Sequence, residues 1–286
     1  MVLEKAKIDL HVHPFLDRYS ITDVVGAMEE TGTDVVALEA LDASLHPRVV
    51  YEVLKAYPDS LQDRAGIRLP NGRYIFNGRE YNTREKLHLL TVGYSVDKAD
   101  RDTPIIDVID DAIEHGALVI IDHPFVDNVH TRTAGHISAE LEGIIEGVSK
   151  TYSGKVALEW NGYCIPWIRA VLRGILTLGF YGVDYHDVNL KVEQFSGSML
   201  ESGYNVPVLA DTDLHARSRS DLYVMGTAHF TTKLEGDSPK EVLESMKSSI
   251  FRRQYENVKE YVGAWHLLGA FCLPVLFPGL FKKPRA

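Results

Sequence analysis

Cysteine is scarce: only Cys164 and Cys272 occur in 286 residues. That excludes a disulfide framework and makes a reduced, cytoplasmic setting the expectation. Positive charge is also in short supply, with 30 Lys and Arg against 40 Asp and Glu, a formal net charge of −10. A general nucleic-acid surface needs a basic stripe, so no nucleic-acid partner is expected, while a local basic pocket for one phosphate stays compatible. A Gly-rich phosphate loop, a dinucleotide fingerprint and a Ser-His-Asp order are all missing. The opening residues, MVLEKAKIDL, lack the apolar segment of a secretory signal. There is no low-complexity region, internal repeat or obvious linker.

Long uncharged runs are absent too, with one exception. Residues 262–281, VGAWHLLGAFCLPVLFPGLF, carry no formal charge with His266 neutral and precede Lys282, Lys283 and Arg285. Their length approaches the ~20 residues needed to cross a bilayer. Pro274, Pro278 and three glycines break a continuous helix. The segment is therefore read as an arm packed over the domain or over a partner subunit of a homo-oligomer, with membrane association as the alternative.

What is present is an ordinary folding composition, 45% hydrophobic and 24% charged. Apolar runs alternate with amphipathic stretches. Strands are expected at 6–12, 34–41, 117–124, 155–161 and 206–215. Helices are expected at 20–31, where Ser20 and Asp23 form an N-terminal cap, and at 47–57, 103–116, 137–150, 166–179 and 238–249. Between 67 and 95 the pairs Asn71-Gly72 and Asn77-Gly78 suggest turns between short strands. Such alternation implies a largely parallel sheet, and its length suits a closed α/β barrel spanning about residues 1–250, followed by a C-terminal helix and apolar tail over 251–286.

Barrel enzymes keep their chemistry at the C-terminal ends of strands. Here the polar residues collect at such points. IDLHVHPF places His11 and His13 one residue apart, so that both imidazoles point to one side of a strand. Glu80 is followed eight residues later by His88, at the start of another apolar run. The strand at 117–121 ends in Asp122-His123-Pro124, and the strand at 206–210 ends in Asp211, Asp213 and His215. Imidazole combined with carboxylate suits zinc, manganese or iron, and a carboxylate such as Glu80 can bridge two cations.

The segments IDLHVHPF, NGREYNTREKLHLLTVGY, GALVIIDHPF, VALEWN and VPVLADTDLHA…YVMGTAHF occur in an order that resembles the PHP (polymerase and histidinol phosphatase) domain family, from about residue 6 to 230. The resemblance implies a distorted (β/α)7 TIM-like barrel with two or three metals at the C-terminal ends of the strands. It also implies a phosphoesterase that hydrolyses a small phosphate ester by a metal-bound hydroxide. Carried over, it implies one metal on His11, His13, Glu80 and Asp213, and a second on Glu80, His88 and His123. His215 would serve a third metal or the substrate phosphate. As catalytic groups, the reading takes His215 to protonate the leaving alkoxide and Arg217, with Arg219 beside it, to grip a phosphate.

The sequence departs from the family at its second motif, where Glu39, Ala40 and Leu41 stand for Thr, Asp and His. Leu41 cannot bind a metal, and Glu39, Asp42 or His46 are the substitutes within reach. Asp17 is the nearest candidate for a further ligand after the first motif. Asp184-Tyr185-His186 follows a Gly-rich turn and reads as a loop or cap. Glu159 reads as support for the ligands, Arg132 and His136 as substrate contacts, and Cys164 as a packed thiol. The rival readings are an amidohydrolase-type barrel, which wants a Lys at the end of a middle strand, and a degenerate metal-binding domain without catalysis.

Overall fold

The computed structural model describes residues 2–13, 16, 18–40, 47–94, 102–126, 138–162, 188–216 and 218–263. Eleven strands, β1(Val2–Val12), β2(Val35–Ala40), β3(Leu61–Gln62), β4(Gly66–Arg68), β5(Tyr74–Asn82), β6(His88–Val92), β7(Leu118–Asp122), β8(Val156–Asn161), β9(Val208–Asp211), β10(His229–Glu235) and β11(Tyr255–Val258), form one sheet. Around it lie α1(Ile21–Thr31), α2(Pro47–Lys55), α3(Ile105–Glu114), α4(Ala139–Thr151), α5(Val188–Glu201) and α6(Pro239–Phe251), with a 3-10 turn at Arg219–Val224. Ser20 and Asp23 make the expected reciprocal cap on α1, and Ser238 and Glu241 do the same for α6. The helix expected at 166–179 and the residues 264–286 of the apolar tail lie outside the described residues. No helix among the described residues is long and apolar enough to cross a membrane.

The strand order is β11-β10-β1-β2-β5-β6-β7-β8-β9, a nearly closed TIM-like barrel. It is less parallel than alternation implied. The parallel pairs β1–β2–β5 and β7–β8–β9 are separated by β6, which runs antiparallel to both neighbours because it returns from β5 as a hairpin. β10 is antiparallel to β1 and β11 to β10, so the sheet continues past residue 250, where the barrel was expected to end. Asn71-Gly72 is a turn, with Gly72 at φ 87°, but Asn77-Gly78 is not: both residues lie inside β5.

Period-two alternation sorts the side chains. Val35 and Ala37, Tyr74 and Phe76, Leu90 and Val92, Leu118 and Ile120, Ala157, and Leu209 share the barrel's inner core. Helices α3, α4 and α5 cover the outer faces of β6–β9, and α1 and α2 cover β1 and β2. Continued along the strands, the inner parity reaches Glu39, Glu80, His88, Asp122, Glu159 and Asp211. The apolar plug therefore gives way to a charged layer at one end of the barrel.

β1 needs a correction to join that layer. Ala6, Ile8 and Leu10 lie inside, so strict alternation would turn His11 outward. Between Asp9 and Val12 the register slips: Asp9 pairs with Val36 but Val12 with Leu38, three steps along β1 against two along β2. A bulge of this kind reverses the parity beyond it and swings His11 and His13 inward.

The seam between β1 and β9 is closed by side chains as well as backbone. Asp211 Oδ1 accepts from the Leu10 amide at 2.8 Å, and Asp9 accepts from the amides of Thr212 (3.1 Å) and Gly226 (2.8 Å). Above them His13 N–H donates to Leu214 O and Leu214 N–H to His11 O, at 2.9 and 2.8 Å. Between β9 and β11 the Asn257 carboxamide replaces a peptide group, accepting from Ala210 N–H (3.0 Å) and donating to Val208 O (2.8 Å).

Candidate metal centre

Seven strands converge on the charged layer, β2 contributing Glu39. β1 brings His11 and His13, β5 brings Glu80, β7 leads into Asp122 and His123, β8 carries Glu159, and the residues after β9 include Asp213 and His215. His88 arrives differently: it opens β6, and because β6 is reversed, its N-terminal end lies beside the C-terminal ends of its neighbours, with His88 opposite both Asn82 and Asp122. His123 and Asp213 hold backbone φ values of 24° and 56°. Non-glycine residues seldom occupy that region, and such strain persists where surrounding structure enforces it.

Three groups of ligand atoms form among the described residues, the third being His11 with Asp122 and Glu159. In the first, His11 Nε2 and His13 Nε2 are 2.9 Å apart, and Asp213 Oδ1 lies 3.4 and 3.3 Å from them. In the second, Glu80, His88, Asp122 and His123 each offer an atom, all within 4.8 Å of one another. His123 Nε2 is 3.0 Å from Asp122 Oδ2 and 3.9 Å from Glu80 Oε1, which bonds His88 Nδ1. Glu80 also reaches toward the first, since its other oxygen, Oε2, lies 3.5 Å from His13 Nε2.

The donor set fits a cation. His13 Nδ1 must carry a proton, because its partner is the Glu39 carbonyl at 3.1 Å, and His11 Nδ1 meets the Glu159 carboxylate at 2.6 Å. Each ring's lone pair is then on Nε2, and those two lone pairs and a carboxylate oxygen face each other. Their separations straddle the edge of a tetrahedron with 2.0–2.1 Å arms, about 3.3 Å. Against the cost of burial, Asp213, Glu159 and Glu80 hold His11 well above its usual value. Burial and the charges of His215 and His11 bring His13 down to about 4. Burial and His88 likewise bring His123 to about 4.

Negative charge is in excess throughout. Glu39, Glu80, Asp122, Glu159, Asp211 and Asp213 are all buried. Burial pushes Asp122 well above the carboxylate range, reinforced by Glu159. Despite burial, the neighbouring histidines hold Glu80 and Asp213 well below it, through His88 and His11 respectively. Isolated charges of this kind are not kept in a low-dielectric interior without countercharge.

Of the residues singled out in the sequence, His11, His13, Glu80, His88, His123, Asp213 and His215 come together. His215 Nδ1 donates to the Asp213 carbonyl (2.9 Å), and its ring centre is 4.1 Å from that of His13. Arg219 is exposed and pairs with Asp23 at 2.9 Å, so it serves the start of α1 rather than the site. Arg217, Asp17, Leu41, Asp42, His46, Arg132, His136, Cys164 and Asp184–His186 lie outside the described residues. Asp122, which the resemblance does not assign as a ligand, joins the cluster, as the inner parity of Leu118 and Ile120 requires.

Glu39 is the described residue among the substitute ligands for the second motif. Its carboxylate is fully buried and neither oxygen has a hydrogen-bond partner, and burial holds its pKa well above the usual range. It lies flat over Gly78, where a Cβ would come within 2.2 Å of Oε1. Gly78 is therefore glycine to make room for Glu39, not to turn the chain. Gly78→Ala is expected to cost about 1–3 kcal/mol by overpacking. The cost should largely vanish in a Glu39→Ala background, as read by urea unfolding of the four-member cycle. Equal costs in both backgrounds would refute the pairing.

No family model matches the sequence, and a search of curated proteins finds no relative. Solved structures do share the fold. PsfC from Pseudomonas syringae aligns over 98% of this chain and 100% of its own at TM-score 0.55 and 13% identity. A two-domain protein from Bacteroides vulgatus, described as containing a predicted PHP-like metal-dependent phosphoesterase, aligns over 94% of this chain and 69% of its own, at 0.53 and 14%. The lesion-specific endonuclease PfuEndoQ from Pyrococcus furiosus aligns over 90% and 58%, at 0.50 and 14%. The barrel is thus shared with PHP-like structures, and the chain has the PHP-like fold.

Proposed function

We propose that this protein is a metal-dependent phosphoesterase acting on a small phosphate ester. The observation that carries the reading is Glu80, whose two oxygens face two separate groups of imidazole and carboxylate donors. His11, His13, Asp213 and Glu80 would hold one ion; Glu80, His88 and His123, with Asp122 beside them, would hold a second. Two such ions, when bound, acidify water between them and neutralise the charged oxygens of a phosphate ester. The chain's own residues do the rest. Glu159 keeps His11 in one tautomer and also accepts from the His123 amide at 2.8 Å, tying β1 to the turn after β7. His215, anchored through Nδ1, would return a proton from Nε2 to the leaving oxygen, and Arg217 would grip the phosphate.

An amidohydrolase-type reaction finds less support, because the middle strands β5, β7 and β8 end in Asn82, Asp122 and Asn161 rather than Lys. Elemental analysis of protein purified without chelator tests the proposal first, with two or more ions per chain expected. A panel of small phosphate monoesters, a lesion-bearing DNA duplex and cyclic amides then separates the reactions. Turnover of the monoesters is expected. Cleavage of DNA or of amides alone would overturn the substrate class, and one ion or none would overturn the dinuclear reading.

A further inference from the structure

Between the two carboxylates that serve the first group stands a neutral residue, Asn161, at 1% exposure. Its Nδ2 donates one hydrogen to Glu159 Oε2 at 3.0 Å and the other to Asp213 Oδ2 at 2.9 Å. Its backbone is clamped in turn. Asn161 N–H donates to Asn189 Oδ1 (3.0 Å), and Asn189 Nδ2 donates back to Asn161 O (2.9 Å), from the first turn of α5. The next residue is pinned as well: Gly162 N–H donates to Asp211 O and Gly162 O accepts from Val262 N–H, both at 2.9 Å.

Resting on the metal-centre reading above, we propose that Asn161 is a positioning residue that makes Asp213 a one-oxygen ligand, with Asn189 as the clamp that holds it in place. By occupying Oδ2, the carboxamide leaves Oδ1 as the atom turned toward His11 and His13 Nε2. Through Glu159 the same amide steadies the acceptor of the His11 Nδ1 hydrogen. A hydrocarbon at 161 would pack as well and do neither. An aspartate there would add a further buried carboxylate to those already present. A residue that carries no charge thus decides how many oxygens the centre receives.

Cobalt(II) alone is the probe, because its visible absorption reports ligand number and geometry while its affinity is read by titration of the full-length protein. Asn161→Ala is expected to weaken cobalt binding about 10–100-fold, as loss of partners to ligands does. It should also change the shape and intensity of the visible bands as Asp213 turns. Asn189→Ala, which touches neither carboxylate, is expected to shift both readouts in the same direction by less, and decides the matter if Asn161→Ala fails to fold. Parent-like affinity and bands in the folded variants would overturn the inference, leaving Asn161 a purely structural amide. A parent protein that takes up no cobalt would instead overturn the metal reading on which it rests.

Discussion

Replacing Glu80 by glutamine is expected to reduce bound metal from two ions per chain to one or none, and phosphate-ester turnover by more than about 100-fold, beyond the usual cost of losing a partner behind a ligand. Glutamine keeps the volume of a side chain that is only 6% exposed, so the fold should persist. What it removes is specific. One oxygen now faces His13 and the other bonds His88. An amide keeps one acceptor and turns two N–H donors toward atoms that must themselves supply lone pairs. Metal content by elemental analysis and kcat/KM on a responsive ester measure the two effects together. Parent-like metal content with unimpaired turnover would remove Glu80 from the centre.

Chelation is expected to lower the unfolding temperature by about 5–10 °C for each site lost. A site filled at a hundredfold excess over its Kd contributes about 2.7 kcal/mol, and each kcal/mol shifts a chain of this size by roughly 2–4 °C. The loss should grow with pH. Burial holds Glu39, Asp122 and Asp211 well above the carboxylate range, and three carboxylates raise His11 against its own burial. Each has a folded pKa above its unfolded one and so binds more protons in the folded chain. The stability of the chelated protein therefore falls as pH rises between those two values. Glu80 and Asp213, held low, lose their contribution only as pH falls below the ordinary carboxylate range of about 4. His13 and His123, brought to about 4, act between there and about 6.5, where stability is lost as pH falls. Above pH 7 the raised groups alone remain. Bound metal, which needs deprotonated ligands, reverses their effect. Thermal scans with and without chelator from pH 6 to 9 should show the gap widening; a gap that narrows would contradict a metal-filled cluster.

Much of the centre was legible because its ligands follow apolar runs in pairs or short motifs: His11 and His13, His123 before Pro124, Asp213 and His215. What escaped has particular causes. Asn77-Gly78 carries the strongest local turn signal, yet a tertiary demand, space for the Glu39 carboxylate, placed glycine there inside β5. The antiparallel course of β6 follows from a hairpin that alternation alone does not reveal, and it is what lets His88 reach the site from the start of a strand. The two histidines of β1 do share a face, but which face depended on a bulge that local sequence does not announce. Asp122 needed strand parity rather than motif spacing. Asn161 has no titratable group to draw attention, and its role exists only through the carboxylates that fold against it.

The pairing of β1 with β10 also governs when the centre can come into being. Ile8 lies opposite Phe230, so the first strand waits for nearly the whole barrel before its edge is covered. Contacts of such sequence separation form slowly, since loop-closure entropy is lost before they reward it. During synthesis His11 and His13 emerge early, while Asp213 follows some two hundred residues later. At roughly 5–20 residues per second, that is about 10–40 seconds in which the histidine pair has no carboxylate partner from the far end. The three-donor group of His11, His13 and Asp213 thus has to wait until the chain has been made through residue 213 and the seam between His11, His13 and Leu214 can close.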